Sequence, residues 1–185
     1  MSESAEAIAA QLGSRRNVTI EITNNTTNYV LIDPEIHMDS GHCHIPPTPT
    51  LAPSSTELCN FSKTSAKTSG AVGVLAYNVV EMRSNREMAK LAIMFSVPYD
   101  RNVYKNWFGF GVFSTETEVN KAMFEMMYYK ESEKEYARLE GTGSNLTFQH
   151  PALDIMGTMS PLGKSIMKVE IWEKLFHPAI SQSPY

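Results

Sequence analysis

Two apolar stretches in the middle of the chain decide its fold: Ala71-Val-Gly-Val-Leu-Ala-Tyr-Asn-Val-Val80 and Leu91-Ala-Ile-Met-Phe-Ser-Val97. Both are rich in β-branched and aromatic residues, which favour β-strands over helices. The charged segment 82–87 lies between them and has the composition of a turn. We therefore predict a pair of central antiparallel strands joined by this turn.

Shorter strand patterns lie on both sides of this pair. Val18, Ile20 and Ile22 alternate with polar residues, which indicates a half-buried strand. A strand at 29–32 is predicted to bend at Pro34. The remaining predicted strands are 58–61, 107–113, 146–148 and 166–172, and the predicted loops are 40–53, which is rich in proline, and 96–106.

Two helices are predicted beside the strands. Alanine, glutamate and glutamine favour a short helix within 1–13, which Gly13 would end. Thr115 and Glu118 have capping-box spacing, which predicts a second helix at about 116–129. The expected fold is mainly β, an antiparallel β-sandwich flanked by these two helices.

The size and composition of the chain indicate that its 185 residues, 1–185, form one globular domain. We divide it into an N-terminal helical segment (1–16), a β-sandwich core (17–172) and a C-terminal tail (173–185). The net charge of −4 argues against nucleic acid as a partner. The N-terminus lacks a signal-peptide pattern, so we expect a protein that is cytoplasmic, or released from the cell, and acts at membranes.

Nothing in the sequence predicts catalysis or a cofactor. Phosphate-binding loops, nucleophile elbows and zinc-protease motifs are missing from it, so we expect that the protein is not an enzyme. His37, His42, Cys43 and His44 are metal-ligand types, but their spacing matches no standard site, and we predict no metal. Cys43 and Cys59 are either bridged or free thiols.

Aromatic residues in polar surroundings are the strongest functional signal. Tyr99, Tyr104 and Trp107 share a loop with proline, aspartate, asparagine and lysine, and such loops lie at the surface. In the second helix, Phe124 and Tyr128 are predicted to point away from the core. The predicted core stripe of that helix is Val119, Ala122, Met123 and Met126. Exposed tyrosine and tryptophan suit a membrane interface, and clustered rings bind quaternary ammonium groups.

Four segments in this order resemble the actinoporins, a family of pore-forming cytolysins: 70–77, 95–100, the Tyr104-x-Asn-Trp107 motif and 123–129. The resemblance covers about residues 17–172. It implies a β-sandwich flanked by two helices that binds phosphocholine and sphingomyelin headgroups at the membrane surface. It also implies that the N-terminal helix then detaches and that copies of the chain assemble into a cation-permeable, cytolytic pore.

The same resemblance assigns site residues by position. The implied headgroup site consists of Ser40, Val72, Ser96, Pro98, Tyr104, Tyr128 and Tyr129. Trp107 and Arg16 are placed at the membrane interface in the same way, and we predict that Phe108 and Phe124 lie there with them.

The chain departs from the family pattern at Val103, where a tryptophan is frequent, and at Phe124, where a tyrosine is usual. Residues 2–16 would give about 22 Å of helix, less than the ~30 Å core of a bilayer. We therefore expect headgroup binding to be better preserved than pore formation. The alternatives are a carbohydrate-binding, lectin-like module and a protein-binding module, both using the same aromatic surface.

Overall fold

The computed structural model of the protein describes residues 3–174. Its helices are α1 (Ala5–Gln11) and α2 (Lys121–Tyr129). Its strands, in chain order, are β1 (Asn17–Asn25), β2 (Tyr29–Ser40), β3 (His42–Ile45), β4 (Thr50–Leu51), β5 (Ser55–Ser62), β6 (Ala71–Glu81), β7 (Arg86–Val97), β8 (Trp107–Phe113), β9 (Tyr136–Glu140), β10 (Leu146–Gln149), β11 (Leu153–Met159) and β12 (Lys164–Glu173).

The strands form two six-stranded sheets. Sheet A has the order β10-β11-β12-β1-β5-β3, and sheet B has the order β4-β2-β6-β7-β8-β9. Neighbouring strands are antiparallel apart from β1 and β12, which pair in parallel. The main core lies between the sheets and α1 and α2 flank them, so the predicted mainly β sandwich is confirmed.

The predicted central pair is β6 and β7, which align from Ala71 opposite Val97 to Glu81 opposite Arg86. Alternate residues of β7 face opposite sides of sheet B because side chains alternate along a strand. Phe95 points into the sandwich and stacks on Phe61 of sheet A, with ring centroids 4.5 Å apart. Met94 points outward into a second apolar cluster beneath α2.

Helix α1 packs on the outside of sheet A through two small side chains, Ala5 and Ala9, which are buried. Ser4 caps the helix by accepting a hydrogen bond from the Ala7 backbone N–H at 3.1 Å. Glu6 forms an ion pair with Lys168, with 2.8 Å between the two atoms. The helix is shorter than the predicted 1–13 but lies within it, and residues 1 and 2 are outside the described residues.

Helix α2 begins later than predicted. Asn120 is its N-cap and accepts a hydrogen bond from the Met123 backbone N–H at 3.1 Å. The capping box at Thr115 and Glu118 is wrong, because that segment forms a turn in which Thr117 N–H donates to the Ser114 carbonyl. Asn120 competes with Thr115 as a cap, since both side chains can satisfy free N–H groups.

The face of α2 that packs on sheet B also differs from the prediction. Met123, Phe124 and Met127 are buried, whereas Ala122 of the predicted stripe is exposed. Phe124, predicted to point away from the core, is only 2% exposed. The helix is apolar on nearly every side, so periodicity does not fix its orientation, and the outer face of sheet B decides it.

Several strands were not predicted. β2 has a shift in register between Ile32 and Glu35, at the bend predicted at Pro34, but it is longer than predicted and continues to Ser40. β3 and β4 lie inside the predicted loop 40–53, and β9 and β11 had no prediction. β3 and β4 are short edge strands of four and two residues, and such strands give little periodic signal.

Within residues 3–174, none of the helices has the length and apolar character that crossing a membrane requires. The predicted C-terminal tail 173–185 lies outside the described residues from 175 onward.

Candidate functional site

A row of cross-strand neighbours on the outer face of sheet B forms the floor of the candidate site. Ser40 pairs with Val72, Val72 pairs with Ser96, and Ser96 pairs with Trp107. Directly paired residues have their side chains on one face, roughly 4.5–5.5 Å apart. The four predicted residues thus lie side by side across β2, β6, β7 and β8.

The serine at one end of this row is held by a close approach of the backbone. Ser40 Oγ accepts a hydrogen bond from Gly70 N–H at 3.2 Å, which leaves the Ser40 hydroxyl proton free to donate. Glycine is required at position 70, because a Cβ there would lie 2.2 Å from the Val97 carbonyl oxygen. Pro98, which follows Val97 in the chain, is half-buried.

The end of α2 brings two tyrosines over this floor. Tyr128 is half-buried, stacks on Phe124 at 5.4 Å and meets the edge of Tyr129 at 4.7 Å between ring centroids. Burial raises the pKa of Tyr128, and the nearby Ser96 hydroxyl opposes that shift. The phenol is therefore neutral at physiological pH and remains a hydrogen-bond donor. Tyr129 is 69% exposed.

The loop 98–106 presents further aromatic and apolar side chains to solvent. Tyr99, Val103 and Tyr104 are 47%, 65% and 57% exposed. The Asp100 carboxylate accepts hydrogen bonds from the N–H groups of Asn102 and Val103, which closes the loop into a tight turn. The exposure of these side chains is therefore built into the loop conformation.

Two polar side chains fix this loop to its neighbours. Buried Asn106 donates from Nδ2 to the carbonyls of Ser160 and Leu162, at 3.0 and 2.9 Å. Arg16 Nε donates to the Tyr99 carbonyl at 3.0 Å. Arg16, predicted at the membrane interface, thus lies directly beneath the exposed loop.

Two predicted interface residues are not at the surface. Phe108 is fully buried in the main core, and Phe124 is buried between α2 and sheet B. Phe108 follows Trp107 in β8, so alternation along the strand turns it to the inner face while Trp107 faces outward. These two assignments are therefore wrong, whereas Trp107 is half-buried.

Arg138 is a residue of this region that the sequence did not indicate. Its guanidinium lies over the Trp107 ring, 4.6 Å from the ring centroid, and Nη1 donates to the Tyr128 backbone carbonyl. Arg138 lies in the edge strand β9, which had no predicted element, so nothing in the sequence connected it with the aromatic cluster. It joins Trp107 of the floor to the end of α2.

Replacing Arg138 with glutamine is expected to lower the free energy of unfolding by about 1–2 kcal/mol, because a cation–π contact and a hydrogen bond are lost. Trp107 emission should shift to longer wavelength as its covering group disappears. We would measure denaturant unfolding and fluorescence in a Trp172→Phe background, since the chain has two tryptophans. Arg138→Lys should recover part of the stability; unchanged emission in Arg138→Gln would contradict the stacking.

The histidines and cysteines of the described residues form no comparable site. Residues 3–174 contain no group of three or more side chains that could hold a metal ion. Cys43 and Cys59 are free thiols, and burial raises the pKa of both. The arrangement on sheet B can instead offer aromatic faces to a cation and hydroxyl donors to an anion.

The chain is thus a β-sandwich protein of two sheets with an aromatic cluster at one end. The sequence profile of the family described as sea anemone cytotoxic protein matches residues 6–173. The chain is therefore a member of that family, the actinoporins, and the resemblance inferred from the sequence is confirmed.

Individual relatives align over different lengths. Deep sea actinoporin Cjtox II of Cribrinopsis japonica is 46% identical over 63 residues, which are 34% of this chain and 26% of that protein. DELTA-stichotoxin-Hcr4a of Radianthus crispa is 37% identical over 105 residues, 56% of this chain and 53% of that protein. The aligned region thus spans about a quarter to a half of these relatives. Tereporin-Ca1 of Terebra anilis is 27% identical over 172 residues, 88% of this chain and 87% of that protein.

Among solved structures, the lipid binding protein Nakanori shares the fold. The TM-score is 0.69 with 12% sequence identity, and the match covers 90% of this chain and 78% of that chain. At this identity the similarity supports the sandwich architecture alone.

Proposed function

We propose that the protein binds membrane surfaces by recognising phosphocholine headgroups, sphingomyelin among them. The observation that carries the proposal is the position of Tyr104, Tyr128 and Tyr129 beside a floor that contains Ser40 and Ser96. Names of relatives such as actinoporin and stichotoxin agree with a membrane-acting toxin. No catalytic step forms part of this proposal.

The choline group would be held by aromatic faces. A quaternary ammonium near such a ring gains roughly 0.5–2 kcal/mol per contact. Tyr129 and Tyr104 are exposed and Tyr128 is fixed by its stack on Phe124, so the cluster combines two accessible rings with one ordered ring. Val72 and Pro98 supply apolar surface around it.

The phosphate would be held by hydroxyl donors. Ser40 uses its oxygen as an acceptor for Gly70 N–H, so its own proton is available to a phosphate oxygen. The Tyr128 hydroxyl is neutral and also able to donate. Trp107, half-buried on the outer face of sheet B, would lie at the interface beside the headgroup, where indole rings are favoured.

Pore formation is the further step of this proposal, with α1 as the segment that detaches and with copies of the chain assembling on the membrane. The attachment of α1 to sheet A is weak, because Ala5 and Ala9 bury little apolar area. Exposed ion pairs such as Glu6–Lys168 also add little to the stability of the contact. Helix α1 has seven residues and spans ~10 Å, whereas a bilayer core is ~30 Å thick. Residues adjacent to α1 would therefore have to become helical.

The test uses dye-loaded vesicles of phosphatidylcholine, of phosphatidylcholine with sphingomyelin, and of phosphatidylethanolamine, which lacks the choline methyl groups. We expect co-sedimentation with the first two and at least tenfold weaker binding to the third, about 1.4 kcal/mol. Dye release, recorded at the same time, separates pore formation from binding. Equal binding to all three would contradict choline recognition. A lack of binding, with haemagglutination inhibited by a free sugar, would favour the carbohydrate alternative.

A further inference from the structure

Positive charge is concentrated at one end of the sandwich, although the whole chain has a net charge of −4. The segments 12–16, 63–70, 98–106 and 160–163 together contain six basic side chains and one acidic one. The basic residues are Arg15, Arg16, Lys63, Lys67, Arg101 and Lys105. The acidic one, Asp100, is occupied by two backbone N–H groups.

Backbone hydrogen bonds show that these segments are neighbours. Lys63 N–H donates to the Arg16 carbonyl at 2.9 Å, and Asn17 N–H donates to the Gly163 carbonyl at 3.0 Å. The Asn106 and Arg16 side chains, described above, connect the loop 98–106 to the other segments. These bonds bring the four segments together at the end of the sandwich that also carries Tyr99 and Tyr104. Glu140 of β9 lines the same surface pocket as Arg101 and Lys105 but forms no ion pair with either of them.

Within this surface, Arg16 and Arg101 bring their guanidinium groups together. The Arg16 and Arg101 Nη1 atoms lie 2.9 and 3.6 Å from the position that a Cβ would occupy at Gly163. The missing side chain of Gly163 thus makes room for both groups. Burial, and then the charge of Arg16, lower the pKa of Arg101.

Backbone carbonyls hold both guanidinium groups in place, but carboxylates do not neutralise them. Arg16 donates to the carbonyls of Tyr99 and Arg15, and Arg101 Nη2 donates to the carbonyl of Pro161. Within residues 3–174, neither arginine forms an ion pair. Two fixed like charges repel each other, and an anion between them would turn that repulsion into attraction.

The side chains next to the arginine pair indicate which anion would bind between the two guanidinium groups. Val103 and Leu162, each more than half exposed, project from the two loops that hold Arg101. Apolar side chains of this kind enter the interfacial region of a bilayer, and guanidinium groups then lie at the depth of the phosphates. Guanidinium also matches the geometry of phosphate oxygens better than an ammonium group does.

We propose that this end of the sandwich is a second lipid contact, in which Arg16 and Arg101 jointly bind the phosphate of an anionic phospholipid. The contact uses side chains other than Tyr104, Tyr128 and Tyr129, which form the proposed choline site, although Arg101 and Tyr104 share one loop. It would orient the domain with Val103 and Leu162 toward the bilayer.

The experiment compares binding to phosphatidylcholine vesicles with and without about 20 mol% phosphatidylglycerol. The net charge of the chain predicts weaker binding to the anionic vesicles, whereas the arginine pair predicts about tenfold tighter binding at low salt. Arg101→Gln should lose about fivefold of this gain and keep its binding to phosphatidylcholine. Arg101→Lys keeps the charge without the planar fork, and it should retain only part of the gain.

The matched control is Arg83→Gln, which makes the same change in net charge. Arg83 is exposed in the turn between β6 and β7, at the opposite end of the sandwich, roughly 35 Å away along β7. The binding of the Arg83→Gln variant to anionic vesicles should equal that of the unchanged protein. Equal losses in Arg83→Gln and Arg101→Gln would overturn the proposal, because they would show a long-range charge effect.

Two other results separate this proposal from the choline site. Tight binding to the vesicles that contain phosphatidylglycerol, without any binding to those of phosphatidylcholine alone, would support the arginine pair and contradict choline recognition. Binding that is equal or weaker on the anionic vesicles would overturn the arginine pair and leave the choline site standing. Circular dichroism of each variant confirms that a loss of binding is not a loss of fold.

Discussion

Replacing Tyr104 and Tyr129 together with alanine is expected to weaken binding to phosphatidylcholine–sphingomyelin vesicles about 100-fold, or about 2.8 kcal/mol. Both rings are more than half exposed, at 57% and 69%, so they contribute little to the core. Each ring removed would cost a cation–π contact and an interfacial aromatic group. The free energy of unfolding should change by less than about 0.5 kcal/mol.

Phenylalanine replacements at the same two positions separate the ring from its hydroxyl. If the rings bind choline through their faces, Tyr104→Phe and Tyr129→Phe should keep most of the affinity. Trp172→Ala is the control, since Trp172 is 42% exposed near the end of β12 in the other sheet. Vesicle co-sedimentation measures all four variants. If Trp172→Ala weakens binding as much as the double alanine variant, aromatic exposure in general would be responsible rather than the proposed cage.

The position of these tyrosines shows what the sequence could predict. Tyr99 and Tyr104 lie among aspartate, asparagine and lysine, which need water, so their loop had to lie at the surface. The alternation of Val18, Ile20 and Ile22 likewise fixed β1, because a half-buried strand alternates polar and apolar residues. These predictions depend on neighbours in sequence, and the structure confirms them.

Phe108 and Phe124 show where such reasoning fails. Phe108 was assigned to the interface together with Trp107, but neighbours in a strand face opposite sides. The apolar residues of α2 surround the helix, so only the shape of sheet B selects its buried face. On that outer face, Ala76 and Ala92 belong to the same buried apolar cluster as Phe124 and Met127. Shape complementarity between distant segments is not visible in one sequence.

Contacts over long sequence distances were equally hidden. Arg138 reaches Trp107 across two paired strands, and Asn106 reaches Ser160 and Leu162 from another loop. Arg101 becomes informative only beside Arg16, which lies 85 positions away in the chain. The resemblance to actinoporins supplied the headgroup residues, whereas the arginine pair and Arg138 required coordinates.

Replacing Phe124 with alanine is expected to lower the free energy of unfolding by about 3–5 kcal/mol. The ring is 2% exposed and belongs to the apolar cluster between α2 and sheet B, so its removal leaves a cavity there. Phe124 also stacks on Tyr128 at 5.4 Å, and the loss of this support should weaken vesicle binding indirectly. Denaturant unfolding measures the first effect, and co-sedimentation at low temperature measures the second.

Tyr129→Ala in the same helix is the matched control, because it removes a ring of similar size from an exposed position. It should weaken vesicle binding and leave stability nearly unchanged, the reverse of the order of effects expected for Phe124→Ala. Phe124→Leu, which fills most of the cavity, should recover most of the stability. If Phe124→Ala instead unfolds like the unchanged protein and loses binding as Tyr129→Ala does, Phe124 faces the lipid. In that case α2 would be rotated to the phase that its sequence alone suggested, and the support of Tyr128 by a buried ring would be wrong.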